Sequence, residues 1–158
     1  MPVIPRDLFL ITGIPGTGKT KLADNLAKDF GFVHHDLEDS NTLSLLFANP
    51  TKFIADIVAQ NTDAVVTWGF NPEHQPSVSS VLQFKTSGFK LLWFDGNRPA
   101  ALRAFISRGT VPEIAFYAQM YRIEASKIID AIQPVVIDPF DMQGNFKSTT
   151  VQLEEMRQ

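Results

Sequence analysis

Residues Gly13-Ile14-Pro15-Gly16-Thr17-Gly18-Lys19-Thr20 concentrate the phosphate-handling chemistry of this sequence. They satisfy G-x-x-x-x-G-K-[ST] at every fixed position, the pattern of a loop that wraps a polyphosphate. Gly13, Gly16 and Gly18 let the backbone curl until successive N–H groups converge on one anion. The helix that follows adds its unsatisfied N–H groups and the positive end of its dipole. Lys19 is spaced to reach the β- and γ-phosphates, and the Thr20 hydroxyl to coordinate Mg²⁺. The ligand of such a stretch is a nucleoside triphosphate.

Phosphoryl transfer also needs a metal-side acid, a base for the attacking group and positive charge over the phosphoryl in flight. Asp36 follows a short predicted strand and is expected to serve the metal's water shell or the acceptor hydroxyl. Glu38, two residues on, projects the same way if the chain stays extended. Asp39 fits a helix cap better. Asp95 also follows a predicted strand, but Asp95-Gly96 reads more simply as a turn. Four arginines fall close together: Arg98, Arg103, Arg108 and Arg122. Arg103 and Arg108 are expected to grip the transferring phosphate, with Gly109 as a hinge; Arg98 and Arg122 are expected at the surface. His34 and His35 lack any companion metal-ligand pattern and are read as core or loop residues. Trp68 and Phe70 flank Gly69 and are candidates to line an acceptor pocket.

The elements that must position these groups alternate strand with helix. Leu8-Phe9-Leu10-Ile11 is an apolar run suited to a buried strand, and Leu22, Leu26 and Phe30 recur at helical spacing after the phosphate loop. Further strands are predicted at 32–35, 64–68, 89–94 and 135–137. Ser40-Asn41-Thr42 offers caps for one helix, and Asn49-Pro50 starts another with Phe53, Ile54, Ile57 and Val58 on one face. A helix from about Pro76 turns Val78, Val81 and Leu82 inward. Thr110-Val111-Pro112-Glu113 reads as a capping box opening a continuous helix to 133, with Ile114, Ala118, Tyr121, Ala125, Ile128 and Ile132 on its inner face. Residues 149–157 predict a last short helix. The result is an α/β, mainly parallel sheet with ligands at the C-terminal ends of its strands.

The 158 residues suit a single domain spanning 1–158, and 44% apolar with 20% charged residues is an ordinary globular composition. Cysteine is absent, which excludes disulfides and thiolate metal sites. Residues Met1 to Asp7 show no signal-peptide pattern and no apolar run is of spanning length, so a soluble cytoplasmic protein is expected, without membrane attachment. A net charge of −3 gives no global electrostatic reason to bind nucleic acid. Oligomeric state is not readable from the sequence.

The phosphate loop, acids after strand two, an arginine-bearing helix after strand four and a helical lid together resemble the small P-loop kinases. Shikimate kinase, gluconate kinase, adenylate kinase and the kinase domain of polynucleotide kinase belong to that superfamily. The resemblance covers about residues 7–140 and implies a five-stranded sheet in the order 2-3-1-4-5, helices on both faces and a helical lid. Asp36-Leu37-Glu38 is similar to the D-x-D of shikimate kinase, which implies Asp36 on the metal side and Glu38 on the acceptor side. Arg103 and Arg108 are similar to the arginines at the base of the lid in these kinases and in polynucleotide-kinase-like ATP-binding proteins. Strand three carries no acid, unlike P-loop motors and many ATPases, and no N-K-x-D reads guanine, so ATP with Mg²⁺ is the expected pair. The sequence departs from shikimate kinase at Trp68-Gly69-Phe70 and lacks a carboxylate-holding arginine between Leu37 and Phe84. Residues 29–84 contain one basic side chain besides histidine, Lys52, against a run of acids, so the small-molecule acceptor is expected to be neutral or cationic. Two alternatives stay open: an ATP-binding regulatory module or slow ATPase, and a polynucleotide 5′-kinase.

Overall fold

The computed structural model describes residues 6–109 and 111–158. In chain order the elements are β1 (Leu8–Gly13), α1 (Lys19–Phe30), β2 (Val33–Asp36), α2 (Ser40–Ala48), α3 (Pro50–Ala59), β3 (Ala64–Thr67), α4 (Gln75–Thr86), β4 (Lys90–Phe94), α5 (Arg98–Ser107), α6 (Glu113–Ser126), α7 (Ile128–Ile132), β5 (Val135–Ile137) and α8 (Thr149–Arg157). The five strands form one parallel sheet in the order β2-β3-β1-β4-β5. All five therefore point their C-terminal ends to one edge, where Gly13, Asp36, Thr67 and Phe94 end their strands.

Helices cover both faces, and each strand's alternation divides its side chains between them. Phe9, Ile11, Val65, Leu92 and Phe94 pack with Leu22 and Leu26 of α1 and Leu153 and Met156 of α8. Leu10, Val66, Leu91 and Trp93 face the other way, into a layer built from α2 to α7. Burial on both sides explains why β1 reads as a continuous apolar run with no polar alternation. No helix among the described residues is long and apolar enough to cross a membrane.

The helix boundaries follow local chemistry. Asn49 caps α3 by accepting from the Lys52 N–H at 3.1 Å, with Pro50 in the first turn. At α2 the cap is Asp39, not the Ser40–Thr42 group: its carboxylate accepts both the N–H and the hydroxyl of Thr42. In α4, Val78 and Val81 are buried as expected, but Leu82 is exposed and Phe84 takes the inward position. The expected continuous helix to 133 is two helices, broken where Lys127 adopts φ 54°. Its inner face differs over α6, whereas Ile128 and Ile132 of α7 are buried as expected. Phe116 and Met120 are buried and Ile123 packs against the core, whereas Ile114 and Tyr121 are 71% and 73% exposed. Two apolar stripes share this helix, and periodicity alone cannot choose between them. The proposed capping residue Thr110 lies outside the described residues, as do Met1 to Pro5; α6 opens at Pro112 without a side-chain cap.

Candidate active site

The phosphate loop is keyed into the sheet edge by close approach. Its Ile14 N–H donates to the Phe94 carbonyl at 3.0 Å. A methyl group added at Gly13, where φ is +132°, would stand 2.2 Å from that same carbonyl oxygen; one at Gly16, where φ is +79°, would stand 2.0 Å from the Ala101 oxygen. No side chain fits either place, so β4 and α5 hold the loop's curvature. Within it, the buried Thr17 hydroxyl donates to the Ile14 carbonyl at 3.0 Å, and the Lys19 ammonium donates to the same oxygen at 2.7 Å. Burial pulls the Lys19 pKa down to about 8, the Glu38 carboxylate opposing that shift and the Arg108 guanidinium adding to it. Lys19, Glu38 and Arg108 face one space.

That space is a cleft of about 1010 Å³ at the C-terminal edge of the sheet. The phosphate loop forms one wall, with Lys19 and Thr20. Glu38, Gly69 and Phe70 form the wall opposite β1, and Arg108 and Arg122 come from the α5–α6 side. Among the described residues no carboxylate pairs with either arginine within 4.0 Å. The Arg108 guanidinium lies 5.3 Å from the Phe105 ring centroid, a cation–π contact that steadies it over the cleft.

Glu38 is positioned by its own turn. Its N–H donates to Asp36 Oδ1 at 2.9 Å, and its carboxylate accepts the Gly69 N–H. Asp36, Trp68 and Arg103 are not among the residues lining this cleft. Asp36 Oδ1 also accepts the Thr67 hydroxyl at 3.3 Å, so that carboxylate organises the turn that presents Glu38. Trp68 is buried in an aromatic row, 6.0 Å from Phe47 and 5.6 Å from Phe70, and Phe70 alone of the pair reaches the cleft. Arg103 reaches Gly144, where an added methyl would meet its Nη2 at 2.9 Å. Asp95 accepts from the Gly96 N–H and pairs with Arg98, which also binds Glu124: the turn and surface roles read for these residues.

The structure adds residues that the sequence reading passed over. Asp24 lines the cleft one helical turn after Thr20, an i,i+4 spacing that was available as a signal. Its carboxylate meets His34 Nδ1 at 2.8 Å, and His34 Nε2 meets the Thr67 hydroxyl at 2.8 Å, which ties α1 to the ends of β2 and β3. Arg122, read as a surface residue, is exposed and also lines the cleft. Phe146 stacks on Phe140 at 4.7 Å and stands against Gly18, offering an aromatic surface beside the phosphate loop. Its loop is held by Asp141, which accepts the N–H groups of Gln143 and Asn145.

No group of three or more His, Asp or Glu side chains that could hold a metal ion occurs among the described residues. The oxygen donors that line the cleft, the Thr20 hydroxyl and the Asp24 and Glu38 carboxylates, suit a magnesium ion carried in on phosphate oxygens, which needs few protein ligands.

No protein-family profile matches the sequence, and no curated protein matches it. Solved structures do. Shikimate kinase from Bacteroides thetaiotaomicron is similar at 14% identity and a TM-score of 0.57, over 96% of each chain. Shikimate kinase from Acinetobacter baumannii in complex with shikimate is similar at 11% identity and a TM-score of 0.58, over 96% of this chain and 92% of that one. A gluconokinase from Sinorhizobium meliloti 1021 is similar at 13% identity and a TM-score of 0.56, over 96% and 91%. The fold is that of the small P-loop kinases, with the strand order expected from the resemblance.

Proposed function

We propose that this chain is an ATP-dependent phosphotransferase that moves the γ-phosphoryl group to a hydroxyl of a small neutral or cationic acceptor. The observation that carries the reading is that Lys19, Glu38 and Arg108 line one cleft together with the loop of residues 13–20. The N–H groups of residues 16–20 and the Lys19 ammonium would bind the phosphates, and Thr20 would hold magnesium, with Asp24 acting on its waters. Magnesium would supply charge neutralisation on the nucleotide's phosphates.

Glu38 is the base that takes the acceptor's hydroxyl proton as the oxygen forms its bond to the γ-phosphorus. The bond from that phosphorus to the β,γ-bridging oxygen breaks, and ADP leaves with the electron pair. Arg108 stabilises the charge spread over the transferring oxygens; Arg103 joins it if the lid closes. Asp36 keeps a positioning role through the Glu38 turn. Phe70 offers the acceptor an apolar surface, and Phe146 offers one to the nucleotide base.

The arginines of the cleft are assigned to phosphate, because Lys52, the basic residue between 29 and 84, is bound to Asp56 at an exposed site. That leaves the acceptor wall to Glu38 and aromatic surface, which favours an uncharged or cationic molecule. A screen of hydroxyl compounds with ADP release as readout tests this. Acceptor-dependent turnover is expected, with neutral members preferred over their phosphorylated counterparts. Turnover that ignores every acceptor would reassign the chain as a slow ATPase or regulatory module. Salt-sensitive binding of single-stranded nucleic acid would favour the polynucleotide 5′-kinase.

A further inference from the structure

One buried polar group of the cleft is left without a partner by the chemistry above. Trp93 lies on β4, paired with Thr12 one residue before the phosphate loop begins. It lines the cleft, is 3% exposed, and its Nε1 is buried with no hydrogen-bond partner among the described residues. An indole N–H can only donate, and a buried donor without an acceptor forfeits its hydration for nothing. The polar groups nearby make other contacts: the Thr12 hydroxyl donates to the Leu92 carbonyl, Asn71 Oδ1 accepts the Glu73 N–H, and the Glu38 carboxylate accepts the Gly69 N–H. The Phe70 ring stands 6.5 Å from the Trp93 ring at 78°, so apolar surface adjoins the donor.

We infer that the Trp93 Nε1–H is a specificity-determining donor of the acceptor subsite, taking an uncharged oxygen that sits beside an apolar face of the acceptor. The inference rests on the phosphotransferase reading and narrows it. A hydroxyl, ring ether or carbonyl oxygen satisfies the neutral indole. A carboxylate or phosphate would be drawn instead to Arg108 and Arg122 and repelled by Glu38. Phe70 packs against the carbon skeleton, and Glu38 takes the proton of a second oxygen, the one phosphorylated.

The chain holds two tryptophans, so its ¹⁵N–¹H spectrum carries two indole signals, and Trp68→Phe assigns that of Trp93. With magnesium and the non-hydrolysable β,γ-imido analogue of ATP present, neutral polyols, nucleosides and amino alcohols are titrated alongside counterparts lacking one oxygen. Compounds of the inferred class should move the Trp93 signal downfield and lose at least about tenfold affinity in Trp93→Phe. The oxygen-deficient counterparts should bind wild type and variant alike. The inference is overturned if no compound moves the signal, if the nucleotide analogue alone moves it downfield, or if Trp93→Phe binds every compound as wild type does. Should Trp93→Phe fold poorly, the wild-type pairs decide: equal affinity with and without the oxygen overturns it. Failure of the analogue to shift the Gly16 and Gly18 amides would instead remove the phosphotransferase reading, a result recorded separately from the indole signal.

Discussion

The two walls of the cleft are built on different plans. The wall proposed to bind phosphate is one uninterrupted stretch that would work mostly through backbone N–H groups, held in shape by contacts with Phe94 and Ala101. The facing walls collect single side chains from separate places: Glu38 after β2, Phe70 after β3, Trp93 on β4, Arg108 after α5 and Arg122 on α6. Backbone recognition tied to a loop shape leaves a compact signature in the sequence. Recognition by scattered side chains leaves none, and each member can change without disturbing the others. The first plan suits a ligand part that never varies; the second suits one that does.

Mutations on the two walls should therefore fail differently. The largest loss is expected for Lys19→Ala, about 10³-fold in kcat/KM, with Tm near wild type because this side chain bonds only to its own loop. A variant that kept wild-type turnover would erase the distinction between the walls. On the facing side, Glu38→Gln should reduce kcat by about 10²-fold or more while ATP affinity, measured by calorimetry, holds. Arg108→Ala should cost about 10²-fold, in kcat and not KM, and Arg103→Ala less than about tenfold while it stays at Gly144. Equal losses at the two arginines would mean the lid rearranges during turnover.

A smaller effect is expected at Gly69→Ala. The new methyl would come 2.8 Å from Glu38 Oε1, the free end of a flexible side chain, so the carboxylate shifts and the fold holds. About a tenfold fall in kcat with unchanged Tm is expected; a drop in Tm would place the strain in the backbone instead.

The smallest effect appears only at alkaline pH. Lys19 titrates at about 8 in the folded chain against an ordinary 10.5. Phosphate binding favours its charged form, so nucleotide affinity should fall as pH rises above 8. Proton uptake on binding should approach one at pH 9, read by calorimetry in buffers of different ionisation enthalpy. Stability runs the other way: between 8 and 10.5 the unfolded chain holds the proton that the folded one has lost, so this residue's share of stability rises across that window. Lys19→Met should lack both signatures.

The same division decides what was legible. The strands, the phosphate loop and the Asn49-Pro50 helix start follow from local patterns, the strand order from the resemblance, and the structure carries them as read. The inner face of α6 did not, because Ile114, Ala118, Tyr121 and Ala125 satisfy helical spacing as well as Phe116, Met120 and Ile123 do. Tertiary contact with Phe105 settles that choice, through a 5.6 Å ring pair with Phe116. Arg122 is exposed as read, and its place at the rim of the cleft is visible only in the folded chain. Trp93 was hidden for another reason: a tryptophan in an apolar strand looks like core, and an orphaned N–H is visible only once its surroundings are known.

Gly13 and Gly16 answer to packing before they answer to ligand, since a side chain at either would collide with main-chain carbonyls of β4 or α5. Lys19 and Thr20 have no such obligation. In a lineage that abandoned nucleotide chemistry but kept this fold, selection would go on preserving the first pair while the second drifted. Part of this stretch is thus a record of architecture and part a record of use, and a descendant that kept Gly13 and Gly16 with the lysine gone would have kept the fold without the phosphate chemistry proposed for it.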